Sequence, residues 1–244
     1  MKIVTGFKNL RSYEKVNVVF NGLTTVLSGL TLLAVIAYTC VSFNQWRTAE
    51  NQLEVSERPW MTVDIPNGVS DFSFHPGGHA FLRSALVLKN IGHSPAIGIA
   101  SAYIVIYPRR NEMFDTPVKK QKELFEPLRK EKSMPGELGV GILFPGQQTS
   151  PLGFSASVAK ETVDSGSFTF PDDPGKYVTP VLVGCVDYRF SFAPERHHQT
   201  GFIYMIGKYK PAEPTHYISI QVGIDVPLSS LKLDQYFFGG HYAD

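Results

Sequence analysis

The stretch from Val16 to Trp46 constrains this chain most, because about thirty residues pass without one Asp, Glu, Lys or Arg. A helix needs roughly 20 mainly apolar residues to cross a hydrocarbon layer of about 30 Å, and Gly22–Phe43 supplies that length. Each strongly apolar side chain in it favours insertion by about 0.3–0.6 kcal/mol. The sum of these contributions outweighs the cost of inserting its Thr and Ser residues. The sequence therefore predicts a transmembrane helix, with the lipid bilayer as the partner of Gly22–Phe43.

Lysine and arginine flank this stretch unevenly. The residues before it are Lys2, Lys8, Arg11 and Lys15, and those after it are Arg47 and Arg58. Because Lys and Arg favour the cytoplasmic side, we expect the N-terminus inside the cell and the remainder outside. The predicted divisions are a cytoplasmic N-terminus (1–15), a transmembrane helix region (16–46), a helical stalk (47–58) and an extracytoplasmic domain (59–244).

A cleaved signal peptide is the main alternative for the apolar stretch. Its apolar core would be shorter, and Tyr38 and Thr39 stand where a cleavage site would require small residues. Cys40 lacks the small residues expected before a lipidated cysteine. Cys185 lies in a predicted strand, so a bond to Cys40 would have to join the bilayer to the domain core. We expect an uncleaved anchor and no intrachain disulfide.

The charge balance argues against one class of partner. The formal net charge is +1, and no long run of one sign is present. Nucleic-acid-binding domains carry a clustered basic surface. We therefore expect no nucleic acid partner.

After Pro59 the sequence changes to short alternating runs bounded by Gly, Pro, Asn and Asp, the pattern of a mostly β domain. The strongest strand signals are Tyr177–Phe190 and Gln199–Tyr209, and Val181–Val186 reads as a central strand. One inserted helix is predicted over Asp115–Ser133. Its predicted contacts with the sheet are Leu124, Phe125 and Leu128, and Pro127 is expected to interrupt it. Tyr217–Val222 is predicted as a further strand. The spacing of eight or nine strands predicts a β-sandwich.

The strand before Asn90, the turn Asn90–Ala96 and the strand after it resemble the B–C region of bacterial immunoglobulin-like (Ig-like) sandwich domains. The whole chain resembles a family of uncharacterised bacterial single-pass membrane proteins. The segments that carry the resemblance are Glu57–Trp60, Asn90–Ala96, Val183–Tyr188 and His198–Phe202. The resemblance implies a location in the cell envelope and a β-rich periplasmic domain, and it implies no activity.

Two short motifs match the active-site motifs of serine enzymes only in part. Ser157 and Lys160 have the S-x-x-K spacing of penicillin-binding enzymes, but no S-D-N follows and the helical scaffold of those enzymes is missing. Gly153–Ser157 misses the G-x-S-x-G pattern of hydrolases, because Ser157 stands at the last glycine position. We predict no catalytic residues and no cofactor.

Three histidines are the candidates for a metal site. His197, His198 and His216 could converge with Asp187 or Glu195 if the strands around them pair. No H-E-x-x-H or paired C-x-x-C motif accompanies them, and adjacent residues of a strand point to opposite sides. We predict no bound metal, with these histidines as the positions to check.

The sequence thus favours a non-enzymatic binding or assembly module of the bacterial envelope, anchored in the inner membrane and exposed to the periplasm. Its expected partner is an envelope protein. The alternative is a periplasmic hydrolase or metal-dependent enzyme that uses the histidine-bearing segment 187–216. Stoichiometric zinc that is lost when the three histidines are changed would favour this alternative.

Overall fold

The computed structural model of the protein describes residues 11–66, 68–130, 141–209 and 217–236. The chain divides into two compact units, Met1–Ser56 and Glu57–Asp244. The first unit contains one long helix. The second, which we call the domain, contains all the strands of the described residues.

The helix of the first unit, α1, runs without interruption over Ser12–Glu57. It contains a stretch long and apolar enough to cross a membrane, and none of that stretch is buried in the protein. The hydroxyls of Thr25 and Thr31 donate to the carbonyls of Asn21 and Leu27 at 2.8 and 2.9 Å. These polar groups therefore need no water as a partner. The prediction of a long apolar N-terminal helix is confirmed.

The domain is mostly strand, as predicted, and strand accounts for 41% of the residues that the structure describes. The strands are β1 (Met61–Asp64), β2 (Val69–Phe74), β3 (Ala80–Asn90), β4 (Ala96–Ile106), β5 (Ile142–Leu143), β6 (Leu152–Val158), β7 (Phe168–Phe170), β8 (Asp173–Val178), β9 (Val181–Phe190), β10 (Ala193–Tyr209), β11 (Tyr217–Ile218), β12 (Ile220–Gln221) and β13 (Leu231–Gln235). The α-helices of the domain are α2 (Thr116–Lys130) and α3 (Lys160–Gly166), and short 3-10 helices span Arg110–Glu112 and Leu228–Ser230.

The described strands form three antiparallel sheets. In the first, β3 pairs with β1, β2 and β6. The second has the order β11-β10-β9-β4-β5, and β13 also pairs with β10. The third is small, with the order β12-β8-β7. Every residue of β9 except Arg189 is buried, which confirms that the segment Val181–Val186 belongs to a central strand.

Alternate residues of β9 face two different layers. Tyr188 belongs to the apolar core that the first and second sheets share. Cys185 lies on the other face, where it packs with Phe125 and Leu128 of α2, and Leu124 packs at the edge of this group. The predicted contacts between this helix and the sheet are therefore confirmed. Cys185 lies in a strand, as predicted, and it is buried.

The turn after β3 holds the first residues of the domain in place. Asn90 is completely buried, and its Nδ2 donates to the carbonyls of Ser94 and Leu143 at 2.8 and 2.9 Å. Its Oδ1 accepts the Gly92 N–H at 2.9 Å. A Cβ on Gly92 would lie 2.3 Å from the backbone nitrogen of Trp60. Glycine is therefore required for this close approach of two backbones.

The number of helices differs from the prediction. The sequence predicted one helix in the domain, whereas α3 is a second one, and its buried residues are Val163 and Gly166. A helix of two turns is too short for an apolar period to show in the sequence. The other helix also continues through Pro127 instead of stopping there. Pro127 is exposed, so the backbone group that it leaves without a helical partner lies on the solvent side.

Two predicted strands are each divided in the structure. The segment Tyr177–Phe190 is interrupted between Val178 and Val181, where Pro180 has no N–H to continue a ladder. The segment Tyr217–Val222 is divided into β11 and β12, which belong to different sheets. The two interruptions lie beside each other, because Thr179 Oγ1 and Ser219 Oγ are 3.1 Å apart.

Candidate functional site

Two of the three candidate histidines lie on opposite faces of β10. His198 faces the core between the two larger sheets, and its ring centroid is 6.0 Å from that of Tyr188. His197 faces the layer that contains α2, and its side chain is 15% exposed. His216 lies outside the described residues. Within the described ranges, no three His, Cys, Asp or Glu side chains form a group that could hold a metal ion.

A group of four polar side chains joins the second sheet to the helix that covers it. Asp187 Oδ2 lies 2.7 Å from His197 Nδ1, and Gln199 Nε2 donates to Asp187 Oδ1 at 2.8 Å. Arg129 Nε donates to Gln199 Oε1 at 2.8 Å. Asp187 and Gln199 are both completely buried. We call these four residues the polar network.

Further hydrogen bonds fasten the same helix to the sheet. Gln199 Nε2 also donates to the carbonyl of Phe125 at 3.1 Å. Gln121 Nε2 donates to the carbonyls of Gly184 and Phe202 at 3.2 and 3.3 Å. A buried hydrogen bond contributes about 1 kcal/mol, and leaving one partner unpaired costs more. These bonds therefore have a clear structural role.

The protonation states of Asp187 and Cys185 limit the reactions that the polar network could catalyse. Burial raises the pKa of Asp187, and hydrogen bonds from His197 and Gln199 oppose that rise. Cys185 lies two positions earlier on the same face of β9, and burial raises its pKa to about 12. It is therefore a neutral thiol at pH 7 and not a nucleophilic thiolate. A buried Asp–His pair orients an imidazole, but catalysis also needs an activated nucleophile or a substrate beside it. We assign the polar network to holding the helix on the sheet.

The buried carboxyl of Asp187 makes stability depend on pH. Because burial raises its pKa in the folded state, the folded chain binds this proton more tightly than the unfolded chain does. This contribution to stability is fully present below the ordinary carboxyl pKa of about 4 and is lost as pH rises through the raised value. Asp187→Asn removes the ionisation and keeps an oxygen for Gln199. We expect the variant to lose this pH-dependent decrease, measured as the unfolding midpoint between about pH 4 and pH 7.

The matched control for this prediction is Asp225→Asn, which makes the same chemical change on an exposed side chain. It should follow the pH profile of the unchanged protein. If Asp187→Asn followed that profile as well, the buried carboxyl would not be the source of the pH dependence.

An open cleft lined by aromatic side chains lies elsewhere on the domain. Its volume is about 390 Å³, within the range of ligand-binding sites. The residues that line it are Pro108, Arg110, Met113, Phe114, Phe168, Phe170, Thr179 and Ser219. We call it the aromatic cleft. Phe114 and Phe170 are 53% and 38% exposed, so large apolar side chains contact water here.

Side-chain hydrogen bonds fix the backbone of the segment that carries Phe114. Tyr236 is 1% exposed, and its hydroxyl bonds to the carbonyls of Met113 and Phe114, the second at 3.0 Å. Arg109 Nε donates to the carbonyl of Ser165 at 3.1 Å. The Phe114 ring therefore projects from a backbone that is already fixed, which reduces the entropy lost when a ligand binds.

Strand β7 supplies another wall of the aromatic cleft. The ring centroids of Phe168 and Phe170 are 5.4 Å apart, and the ring of Phe170 packs edge-on against Tyr177 at 4.9 Å. The polar part of the lining includes Thr179 Oγ1 and Ser219 Oγ, which are 3.1 Å apart. Apolar walls with a few placed polar groups are the usual composition of a binding site.

Sequence reasoning did not identify the aromatic cleft. Phe114 lies between two helices, and Phe168 and Phe170 lie on a strand of three residues. The usable signal was the presence of three phenylalanines in short segments bounded by Pro, Asp and Gly, where solvent-exposed backbone is expected. The sequence positions of Phe114, Phe168 and Phe170 do not indicate that these residues lie close together in the fold.

The S-x-x-K spacing does not lie on one helix in the structure. Ser157 belongs to β6, whereas Lys160 is the first residue of α3. The Lys160 ammonium pairs with the carboxylate of Asp164. These residues therefore have ordinary structural roles.

Comparison with known proteins finds no matching family model, no matching curated protein and no matching solved structure. The long apolar helix and the aromatic cleft are therefore the features from which we infer a function.

Proposed function

We propose that the protein is a single-pass protein of the bacterial inner membrane whose extracytoplasmic domain binds a partner protein of the envelope. The excess of Lys and Arg before the apolar stretch supports a cytoplasmic N-terminus. The long apolar helix then serves as the anchor, and the domain acts by binding and not by catalysis. Confinement at the membrane raises its effective concentration toward membrane partners.

Contacts between the two larger sheets support a β-sandwich architecture for this domain. Buried residues of both sheets form one apolar cluster. Thr200 Oγ1 donates to the carbonyl of Met61 at 3.0 Å, and the hydroxyl of Tyr204 donates to the carbonyl of Val63 at 3.1 Å. Antiparallel sheets that bury their facing sides against each other are the sandwich arrangement. The strand-turn-strand unit around Asn90 is compatible with the immunoglobulin-like form.

The aromatic cleft is the observation that carries the binding function. Exposed groups of large apolar side chains on a folded domain mark interaction surfaces. Phe114 stays 53% exposed although bonds from Tyr236 fix its backbone. The fold thus maintains an aromatic ring in contact with water. Aromatic residues and arginine are the residues most enriched at protein–protein interfaces, and both line this cleft.

Photo-crosslinking in intact spheroplasts tests this function. The full-length chain carries benzoylphenylalanine at position 114, 170 or 192 in separate experiments. Phe192 is the control, because it is 79% exposed and packs on Phe190 without lining the aromatic cleft. We expect a discrete adduct with one envelope protein from positions 114 and 170 and none from position 192. The lack of adducts at 114 and 170, or protection of the domain from added protease, would contradict the proposal.

A further inference from the structure

The shape of the aromatic cleft indicates the size of the group that it takes, and this inference rests on the proposed protein-binding function. The cleft is open to solvent where Phe114 and Phe170 are exposed, and its volume is about 390 Å³. An open site of this size suits an aromatic or large aliphatic side chain with its adjoining backbone. A long acyl chain would need a deeper, enclosed cavity to remove it from water.

Arg110 gives the aromatic cleft its charge preference. Among the eight described residues that line the cleft, it is the one with a charged side chain. Glu112 lies two positions further on and does not line the cleft. In the described part of the chain, no carboxylate forms an ion pair with Arg110. A guanidinium presents paired donors that match a carboxylate, so an acidic group on the ligand would complete this site.

The hydroxyl pair in the lining suits a peptide backbone. Thr179 is 6% exposed, and its Oγ1 shares one hydrogen bond with Ser219 Oγ at 3.1 Å. Two hydroxyls that share one bond keep one hydrogen to donate and lone pairs to accept. A backbone amide of a bound segment provides both the acceptor and the donor that this pair can meet.

We infer that the aromatic cleft binds a Phe, Tyr or Leu side chain of the partner protein that lies next to an Asp or Glu, whose carboxylate pairs with Arg110. The apolar side chain packs between Phe114 and Phe170. An aromatic guest meets these rings edge-on or offset, the geometries that aromatic pairs prefer. The recognised feature is thus a short acidic-aromatic or acidic-aliphatic segment.

Peptide titration of the full-length protein in lipid nanodiscs tests this inference. The probe is the capped peptide Gly-Ser-Gly-Phe-Asp-Gly-Ser-Gly with 4-fluorophenylalanine at its aromatic position, followed by fluorine NMR. Changing its Asp to Asn should weaken binding about threefold to tenfold. Arg110→Glu should reverse the preference, so that a peptide with Lys in place of Asp binds more tightly than the Asp peptide. Phe114→Ala should weaken the binding of every peptide.

Arg83→Glu is the matched control, because it makes the same charge reversal on an exposed position of β3 that does not line the cleft. It should leave the preference for Asp unchanged, and equal unfolding midpoints confirm that the variants are folded. Equal affinities of the Asp, Asn and Lys peptides would overturn the inference. So would binding of decanoate to the cleft without binding of any peptide.

The two proposals fail in different ways. Adducts from positions 114 and 170 together with charge-independent peptide binding would leave the envelope partner in place and overturn the acidic-aromatic preference. A charge preference that Arg110→Glu reverses, without any adduct in spheroplasts, would support the ligand chemistry of the cleft and overturn the envelope partner.

Discussion

Replacing Gly184 by alanine is expected to lower the free energy of unfolding of the domain by about 3 kcal/mol. Gly184 lies in the interior of β9, and a Cβ there would fall 2.1 Å from the Cζ atom of Phe202. Phe202 is 2% exposed and belongs to the core that the two larger sheets share. Its ring therefore has no free space to move into. Relief requires a shift of the ring or of the strand pairing, and both lose close packing.

Unfolding by denaturant of the full-length protein in detergent, followed by near-UV circular dichroism, measures this loss. Gly153→Ala in β6 is the matched control, because nothing lies within 4 Å of the added Cβ. It should be neutral or slightly stabilising, since alanine has less freedom in the unfolded chain. Phe202→Leu combined with Gly184→Ala should recover part of the lost stability. Equal stabilities of the two alanine variants would show that the ring does not restrict this position.

Replacing Asn90 by aspartate is expected to destabilise the domain by about 3–5 kcal/mol at neutral pH. The Asn90 amide donates to the carbonyls of Ser94 and Leu143 at 2.8 and 2.9 Å in a completely buried site. An ionised aspartate has no hydrogen to donate, so its carboxylate would face two carbonyl oxygens without water. Burial and these oxygens would raise its pKa, so protonation at acidic pH should relieve part of the destabilisation.

The same unfolding experiment, carried out at neutral and at acidic pH, tests this second variant. Asn111→Asp is its control, because Asn111 is exposed in the short 3-10 helix Arg110–Glu112. The control should change stability by less than about 0.5 kcal/mol. A neutral effect of Asn90→Asp would mean that the turn does not depend on these two donated hydrogen bonds.

Local patterns predicted the elements with the strongest one-dimensional signals. The apolar stretch Val16–Trp46 predicted a long helix, and α1 contains it. Continuous apolar character in Val181–Val186 predicted a central strand, and the structure buries this segment completely. The short helix Lys160–Gly166 was missed because seven residues with two buried positions do not produce a detectable period.

The candidate site was predicted less well, for a different reason. The sequence named Asp187 and His197 as residues that could meet, and the structure places them 2.7 Å apart. It did not predict that Gln199 bonds to Asp187 or that Arg129 bonds to Gln199. The bond from Arg129 depends on how its helix packs across the sheet. Adjacent histidines were expected to point apart, and His198 does face the opposite layer.

Length and hydrophobic period are properties of neighbouring residues, so the long apolar N-terminal helix, the mostly β character of the domain and its central strand follow from the amino-acid sequence alone. Which distant residues meet depends on how the folded chain packs. Phe114, Phe170 and Ser219 line one cleft although they come from separate segments of the chain. Their meeting depends on strand pairing and on the interruption before β9. Sheet pairing joins residues far apart in sequence, and no local pattern contains that register.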